Sequence, residues 1–286
     1  MKWQTRDIAP GLYLVATPLG NARDITLRAL DLLTGADVLA AEDTRSLRRL
    51  MDIHGVPVGD RPLVAYHDHN GDRARPRLMA DLADGKSVVY ASEAGTPLIS
   101  DPGFDLMRAA LQAEVPCTTA PGATAAVAAL TLSGLPSDRF LFVGFLPNSS
   151  GKRKTALREV SDVPATLIVY ESPKRLAAML RDAAEVLGPD RAAVVCRELT
   201  KKFEERRAGT LAELSGSYAD QPPKGEIVVV IDRGTGVVAD QDTLDRALTE
   251  ALTSMSVKDA ASDVAQRFGV PRRAAYQRAM ALGKSS

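Results

Sequence analysis

Short apolar runs alternate with helical patterns from the start of the chain, and this alternation limits the possible folds more than any other feature. Residues 12–16, 37–41, 63–66 and 88–91 read as strands, and residues 25–33, 73–83, 104–113 and 124–132 as helices. Strands separated by helices pair in parallel, so the expectation is a largely parallel sheet with helices on both faces. The stretch SGLP at 133–136 interrupts the pattern, and a second series opens at Phe140. Strands are expected at 140–145, 166–170, 192–198 and 226–231, and helices at 153–160 and 174–187. Two of these strands follow one another without a clear helix, which favours a mixed sheet.

After RGTG at 233–236 a polar stretch leads to a third segment starting near Thr243. Ser256 can cap a helix in which Val257, Ala260, Ala261, Val264 and Phe268 recur at helical spacing, with Gly269 ending it. Pro271 can open another helix through Ala275, Tyr276, Met280 and Leu282. Two short helices joined at FGVP look like a helix-turn-helix. Lys258, Arg267, Arg272, Arg273, Arg278 and Lys284 outnumber Asp259 and Asp263 there, which suits either a solvated helical hairpin or a nucleic-acid contact. The expected organisation is therefore α/β: two α/β domains, 1–133 and 134–234, and a small helical C-terminal extension, 243–286.

Over the 286 residues, 36 basic and 36 acidic side chains cancel, which argues against a histone-like or membrane-coating protein without excluding a local basic patch. No stretch of about 18 apolar residues exists to span a membrane, and MKWQTRDIAPG lacks the apolar core of a signal peptide. Cys117 and Cys196, far apart in strand-like runs, are expected as buried free thiols in a reducing cytosol. His54, His67 and His69 do not have zinc-site spacing, and the H-x-H at 67–69 reads as polar surface or a substrate contact, with no metal expected.

Chemistry is expected in four loops that follow predicted strands. These are ATPLGN (16–21, running on to DIT at 24–26), AEDTR (41–45), SEAGTPLISDPG (92–103) and APGAT (120–124). In open α/β sheets, ligands sit at the carboxyl ends of strands. Glycine lets main chain approach a ligand closely, and proline fixes it there. None of these loops has the lysine of a P-loop or the G-x-G-x-x-G of a dinucleotide turn. A ligand read mainly by main-chain groups fits better, such as an adenosine with a short amino-acid tail.

LYLVATPLGNARDITLRAL, AEDTR, SEAGTPLISDPG, PGATAAVAAL, SGLPSDRFLFVGFLP, YESPKRL and RELTKKFEE together resemble the tetrapyrrole-methylase-fold superfamily. Within it they are similar to the small-subunit rRNA methyltransferase I family, which methylates a cytidine ribose 2′-oxygen in 16S rRNA. The resemblance covers about residues 11–232, and the tail is similar to that family's helical extension. AEDTR joined to AGTPLISDPG is its specific signature. It implies S-adenosylmethionine in a cleft between two α/β domains. By position, Leu19, Gly95, Thr96, Pro97, Leu98, Ile99, Ala123 and Thr124 would hold the cofactor, with Tyr170, Gly225 and Ile227 closing it from the second domain. Thr96 stands where many tetrapyrrole methylases have an aspartate, so its main-chain role is expected and its side-chain role is open. The resemblance also implies a homodimer in the cytoplasm, acting on 16S rRNA, naked or within a small ribosomal subunit.

Methyl transfer to a ribose hydroxyl calls for collinear positioning and for help in removing the proton. Candidates are Glu42, Asp43, Arg45, Asp101, Glu171 and Lys174. Asp43 or Asp101 would assist the hydroxyl and Arg45 would grip a phosphate. Asp43 is equally a good helix start, and DPG at 101–103 equally a good turn. Lys152, Arg153, Lys154, Lys201, Lys202, Arg206 and Arg207, with Arg272 and Arg273 in the tail, could neutralise RNA phosphates. His67, His69 and Asn70 could face the target nucleotide. Two other readings are compatible with the sequence: a same-fold methyltransferase for a tetrapyrrole or a protein side chain, and a non-catalytic RNA-binding assembly factor.

Overall fold

A computed structural model describes residues 4, 7–67, 69–100, 102–219, 222–233, 241–268, 270 and 272–283, without the side chains of 241, 266 and 267. The chain divides into two compact units, one formed by Met1–Leu132 with Cys196–Arg206 and Gly225–Val228, the other by Ser133–Val195, Arg207–Lys224 and Val229–Ser286.

The first unit is built on β1 (Gly11–Val15), α1 (Leu27–Gly35), β2 (Val38–Ala41), α2 (Thr44–Ile53), β3 (Leu63–Ala65), α3 (Gly71–Ala83), β4 (Ser87–Ala91), α4 (Phe104–Gln112), β5 (Cys117–Ala120) and α5 (Ala125–Ser133). The strands lie in the order β3-β2-β4-β1-β5, and β1 runs parallel to β4 and β5, as β2 does to β3 and β4. Successive strand residues point to opposite faces, and the core follows that rule. Leu39, Ala41, Val89 and Ala91 pack with α1 and α2, while Val38, Ala40, Val88 and Tyr90 pack with α3 and α4. The expected sheet with helices on both faces is thus observed.

Helix α2 was not expected from periodicity, because TRSLRRLMDI is mostly polar. Its start is fixed by Asp43, whose carboxylate accepts from the Arg45 amide at 2.8 Å and the Ser46 amide at 3.4 Å. Leu47 and Met51 are buried, and each such side chain stabilises by about 1.5–3 kcal/mol. Two buried residues suffice to dock a helix whose other side is solvated.

The second sheet has the order β6-β7-β10-β8-β9, from β6 (Phe140–Phe145), β7 (Thr166–Glu171), β8 (Ala192–Arg197), β9 (Glu205–Thr210) and β10 (Ile227–Ile231). β6 and β7 are parallel. β8 and β10 are antiparallel: the Glu198 amide bonds the Glu226 carbonyl at one end, and the Asp232 amide bonds the Ala192 carbonyl at the other. The sheet is therefore mixed. Its helices are α6 (Ser150–Glu159), α7 (Leu176–Leu187) and α8 (Leu211–Ser217). α8 is introduced by a capping box in which Thr210 and Glu213 satisfy each other's end groups. β9 and α8 were missed, the strand because ERRAGT has no alternation.

In the tail, α9 (Gln241–Leu252), α10 (Val257–Phe268) and α11 (Arg272–Leu282) share a core of Leu248, Ala261, Val264, Ala275 and Ala279. The two expected helices thus have a third partner, α9. Ser256 caps α10 by accepting from the Asp259 amide at 3.2 Å. Gly269 and Pro271 lie outside the described residues. Cys196 is buried and Cys117 partly so, both unpaired, and burial pushes the Cys196 thiol up to about 11. Among the described residues, no helix is long and apolar enough to cross a membrane.

Candidate cofactor and substrate site

The carboxyl ends of β1, β4 and β5 bring three of the four loops together. The Thr17 amide donates to the Gly95 carbonyl at 2.9 Å, and the Gly95 amide donates back to Thr17 at 3.0 Å. The Thr17 hydroxyl donates to the Ser92 carbonyl at 3.2 Å, and the Ser92 hydroxyl to the Gly95 carbonyl at 2.6 Å. The Thr96 hydroxyl donates to the Ala123 carbonyl at 2.9 Å, tying the β4 loop to the β5 loop. The open question about that side chain is answered in part: it is a strut between loops. Thr124 starts α5, its carbonyl accepting from the Ala128 amide at 3.0 Å.

Glycine is required at two of these contacts. Gly95 has φ +83°, and a Cβ there would lie 3.2 Å from Leu19 Cδ2; at Gly122 a Cβ would lie 2.8 Å from the Ala16 Cβ. Pro97 and Leu19 are buried and Ile99 exposed. Leu98 and Ser100 hold φ of +71° and +61°, a left-handed conformation costing about 1–3 kcal/mol each in residues other than glycine. The loop holds it because its far end is anchored too, by the Tyr90 hydroxyl donating to the Pro102 carbonyl at 2.9 Å. Asp101 lies outside the described residues.

The second loop joins through Glu42, whose carboxylate accepts from the Glu93 amide at 3.4 Å. Asp43 caps α2 and also pairs with Arg45, Nη2 to Oδ2 at 2.9 Å. Hydrogen bonds from the Arg45 side chain and amide hold the Asp43 carboxyl down at about 2, and the same contact raises the Arg45 guanidinium. A carboxylate held so low is a weak proton acceptor. Arg45 is almost fully exposed.

An open cleft of about 180 Å³ lies between the first loop and α2, with Thr17, Pro18 and Gly20 from the loop and Ser46, Leu50 and Ile53 from the helix. Arg49, Ser92 and Glu93 also line it. The sequence marks only the Asp43 start of α2, so Ser46, Leu50 and Ile53 are not singled out by it as site residues. The signal that could have found them is the spacing of Leu47, Leu50 and Met51 behind an aspartate cap.

Gly225 has φ +96°, and a Cβ there would meet the Glu198 carboxyl at 2.4 Å. Glu198 accepts from the Glu226 amide at 3.0 Å; this bond and Lys201 lower its pKa. Ile227 is buried. In the second unit Tyr170 stands edge-on to Phe142 at 4.9 Å and to Phe145 at 5.7 Å. Glu171 is buried, 3.1 Å from Arg175 Nε, and Lys174 is exposed. His67 and His69 stand edge-on at 6.0 Å, and Asn70 closes their turn by accepting from the His67 amide at 2.8 Å.

The structure corrects one expected RNA contact, Arg153, and gives ion-pair, carbonyl or ring partners to others. Arg153 is 4% exposed, with Nη2 and Nε each 2.7 Å from Asp182 and Nη1 on the Pro147 and Asn148 carbonyls. Its charge is spent inside the fold. Lys154 pairs with Glu185 at 2.5 Å. Lys201 lies against Gly20 and bridges Glu198 at 2.9 Å and Glu226 at 3.0 Å. Burial pulls its ammonium down, and the two carboxylate bonds outweigh that and raise it. Arg206 donates to the Leu132 carbonyl at 2.7 Å, Arg207 covers the Tyr218 ring and Lys202 the Phe203 ring. Lys152, Arg272 and Arg273 are exposed.

Two parallel-containing α/β units with a main-chain-rich loop cluster define a class. The model of the Tetrapyrrole (Corrin/Porphyrin) Methylases matches residues 11–215, and that of the RsmI C-terminal HTH domain matches residues 238–283. Uroporphyrin-III C-methyl transferase from Thermus thermophilus, solved with S-adenyl homocysteine, shares the fold with a TM-score of 0.53 at 22% identity, over 77% of this chain and 96% of that one. Ribosomal RNA small subunit methyltransferase I of Mesorhizobium japonicum is 48% identical over 98% of this chain and 95% of its own length. The protein of that name in Micromonospora olivasterospora is 43% identical over 93% and 85%. The chain belongs to the ribosomal RNA small subunit methyltransferase I family.

Proposed function

We propose that this chain transfers the methyl group of S-adenosylmethionine to the ribose 2′-oxygen of cytidine 1402 in 16S rRNA. The observation that carries the reading is the hydrogen-bonded knot of Thr17, Ser92, Gly95, Thr96 and Ala123 at the carboxyl ends of three strands. Its residues suit such a donor. Among 17–19, 95–99 and 121–124 there is no lysine or arginine, so the cradle offers main-chain groups and the apolar Leu19 rather than a phosphate grip. A Cβ at Gly95 would press on Leu19.

S-adenosylmethionine supplies an activated methyl group, and the chain must align an oxygen with it. Leu19, Gly95, Thr96, Pro97, Leu98, Ile99, Ala123 and Thr124 bind the donor. Their pre-formed network lowers the entropic cost of alignment, an effect worth several kcal/mol. Tyr170, Gly225 and Ile227 keep the cofactor role that the resemblance implies. Asp43 orients Arg45 toward a phosphate, and proton removal falls to Asp101 or Glu42. Lys152, Arg272 and Arg273 meet RNA phosphates. The resemblance further supports a cytoplasmic homodimer acting within a small ribosomal subunit.

The test is to incubate the protein with radiolabelled donor and immature small subunits, then map the label. One cytidine ribose should carry it, and Asp101→Asn should lower turnover while donor affinity is kept. Label on protein or tetrapyrrole, or donor binding without any turnover, would refute the proposal.

A further inference from the structure

The cleft between the first loop and α2 shares Thr17 and Ser92 with the donor knot. It therefore opens beside the loops proposed above to hold the donor. Its walls are of two kinds. Pro18 faces it from the loop, and Leu50 and Ile53 from α2; Ile53 is exposed, so its aliphatic side chain is open to a ligand in the cleft. Glu93 and Arg49, both exposed, add one anion and one cation.

From these features we infer that the cleft is the base pocket for the target nucleotide, and that Glu93 reads cytosine. This rests on the function proposed above. A flat base suits opposed apolar walls, and a flipped or single-stranded base is commonly held by stacking on such surfaces with its pairing edge hydrogen-bonded. A carboxylate is an acceptor only. It can take the hydrogen bond offered by the exocyclic amine of cytosine and has nothing to offer the carbonyl that uracil carries in its place. The Glu93 main chain is fixed by Glu42 through the amide contact at 3.4 Å, so its side chain leaves from a set point. Arg49 supplies the cation for the nucleotide's phosphate.

Glu93→Gln separates this idea from a structural role, because a glutamine amide can turn to accept from cytosine or donate to uracil. Wild-type and variant protein are compared on small subunits carrying cytidine or uridine at the target position, with donor affinity measured alongside. The wild type is expected to prefer cytidine by about fivefold or more in kcat/KM, as about 1–3 kcal/mol of base discrimination implies. Glu93→Gln should lose most of that preference while donor affinity is unchanged. Ile53→Ser should raise KM and leave the preference intact. Preference retained in Glu93→Gln would overturn the assignment while leaving the methyltransferase reading in place. A wild type that methylates neither subunit would overturn both.

Discussion

The loop that follows β4 and the turn that follows β7 each end a strand of one of the two sheets, yet they are held by different forces. The β4 loop is fastened mainly by neutral groups, the Thr17–Gly95 main-chain pair and the hydroxyls of Ser92 and Thr96, with one carboxylate, Glu42, on the Glu93 amide at its start. The β7 turn is fastened by ions. Glu171 meets Arg175, Arg175 reaches the Leu146 carbonyl, and nearby Arg153 is locked to Asp182. Neutral fastening leaves residues 95–99 and 121–124 without a charged side chain, which suits a donor that itself carries a positive sulfur. Ionic fastening makes the second region a support whose charges are paired with one another.

The largest effect should come from breaking the ionic region. Arg153→Ala would leave the buried Asp182 with only the Ser150 hydroxyl at 2.9 Å and Lys154 at 3.8 Å, and losses of this kind run up to about 3–5 kcal/mol. Chemical denaturation should report that drop in the unfolding midpoint. A Leu or Met replacing Arg153 together with Asp182→Leu should recover much of it, because a packed apolar pair avoids the stranded charge. No recovery in the double variant would show that the contacts to Pro147 and Asn148 matter more than the ion pair.

The neutral region should respond in function before stability. In Gly122→Ala the new Cβ meets the Ala16 Cβ at 2.8 Å, and overpacking of this kind costs about 1–3 kcal/mol. On the proposed donor site, moving either loop would displace donor contacts, so calorimetry should find donor affinity reduced about tenfold or more while the protein remains folded at room temperature. Unchanged affinity would detach the β5 loop from the donor site.

These regions were unequally legible in the sequence. The strands and the glycine–proline loops could be read because apolar runs and φ-permissive residues mark themselves, as Gly95 and Gly122 do. Helix α2 was legible only at its Asp43 start, since only Leu47 and Met51 of its ten residues are buried. Without its length the cleft could not be drawn, and Glu93 stood in an expected loop with no role of its own. The fate of a charge was harder still: KRK at 152–154 gives no sign of which residue turns inward. That depends on Asp182, far along the chain, arriving on α7 with its carboxylate facing α6. Asp43 illustrates a milder case, where one residue type serves as both cap and candidate base and only its hydrogen bonds decide.

For Asp43 the sign of its pH response follows from its lowered value. The favourable contacts of its ionised form are complete above the ordinary aspartate range near 3.9 and are lost as pH falls toward about 2. It stays ionised across the working range of the protein. Asp43→Asn should therefore scale the rate by one factor at every pH between about 5 and 9, leaving the profile's shape alone. A displaced acid limb would make Asp43 a proton acceptor after all.

The smallest effect belongs to Lys152, and it sharpens the comparison most because its neighbour gives the largest. Lys152 is exposed on the helix that buries Arg153. Lys152→Ala should leave the unfolding midpoint unchanged, since exposed charges contribute little to folding. If it meets a phosphate, the slope of log affinity for RNA against log salt should fall by about one. An unchanged slope would make Lys152 a solvated charge and leave Arg272 and Arg273 to carry RNA contact. Two adjacent cations would then differ by several kcal/mol in stability with neither touching RNA, because burial beside Asp182, and not charge, sets what each one does.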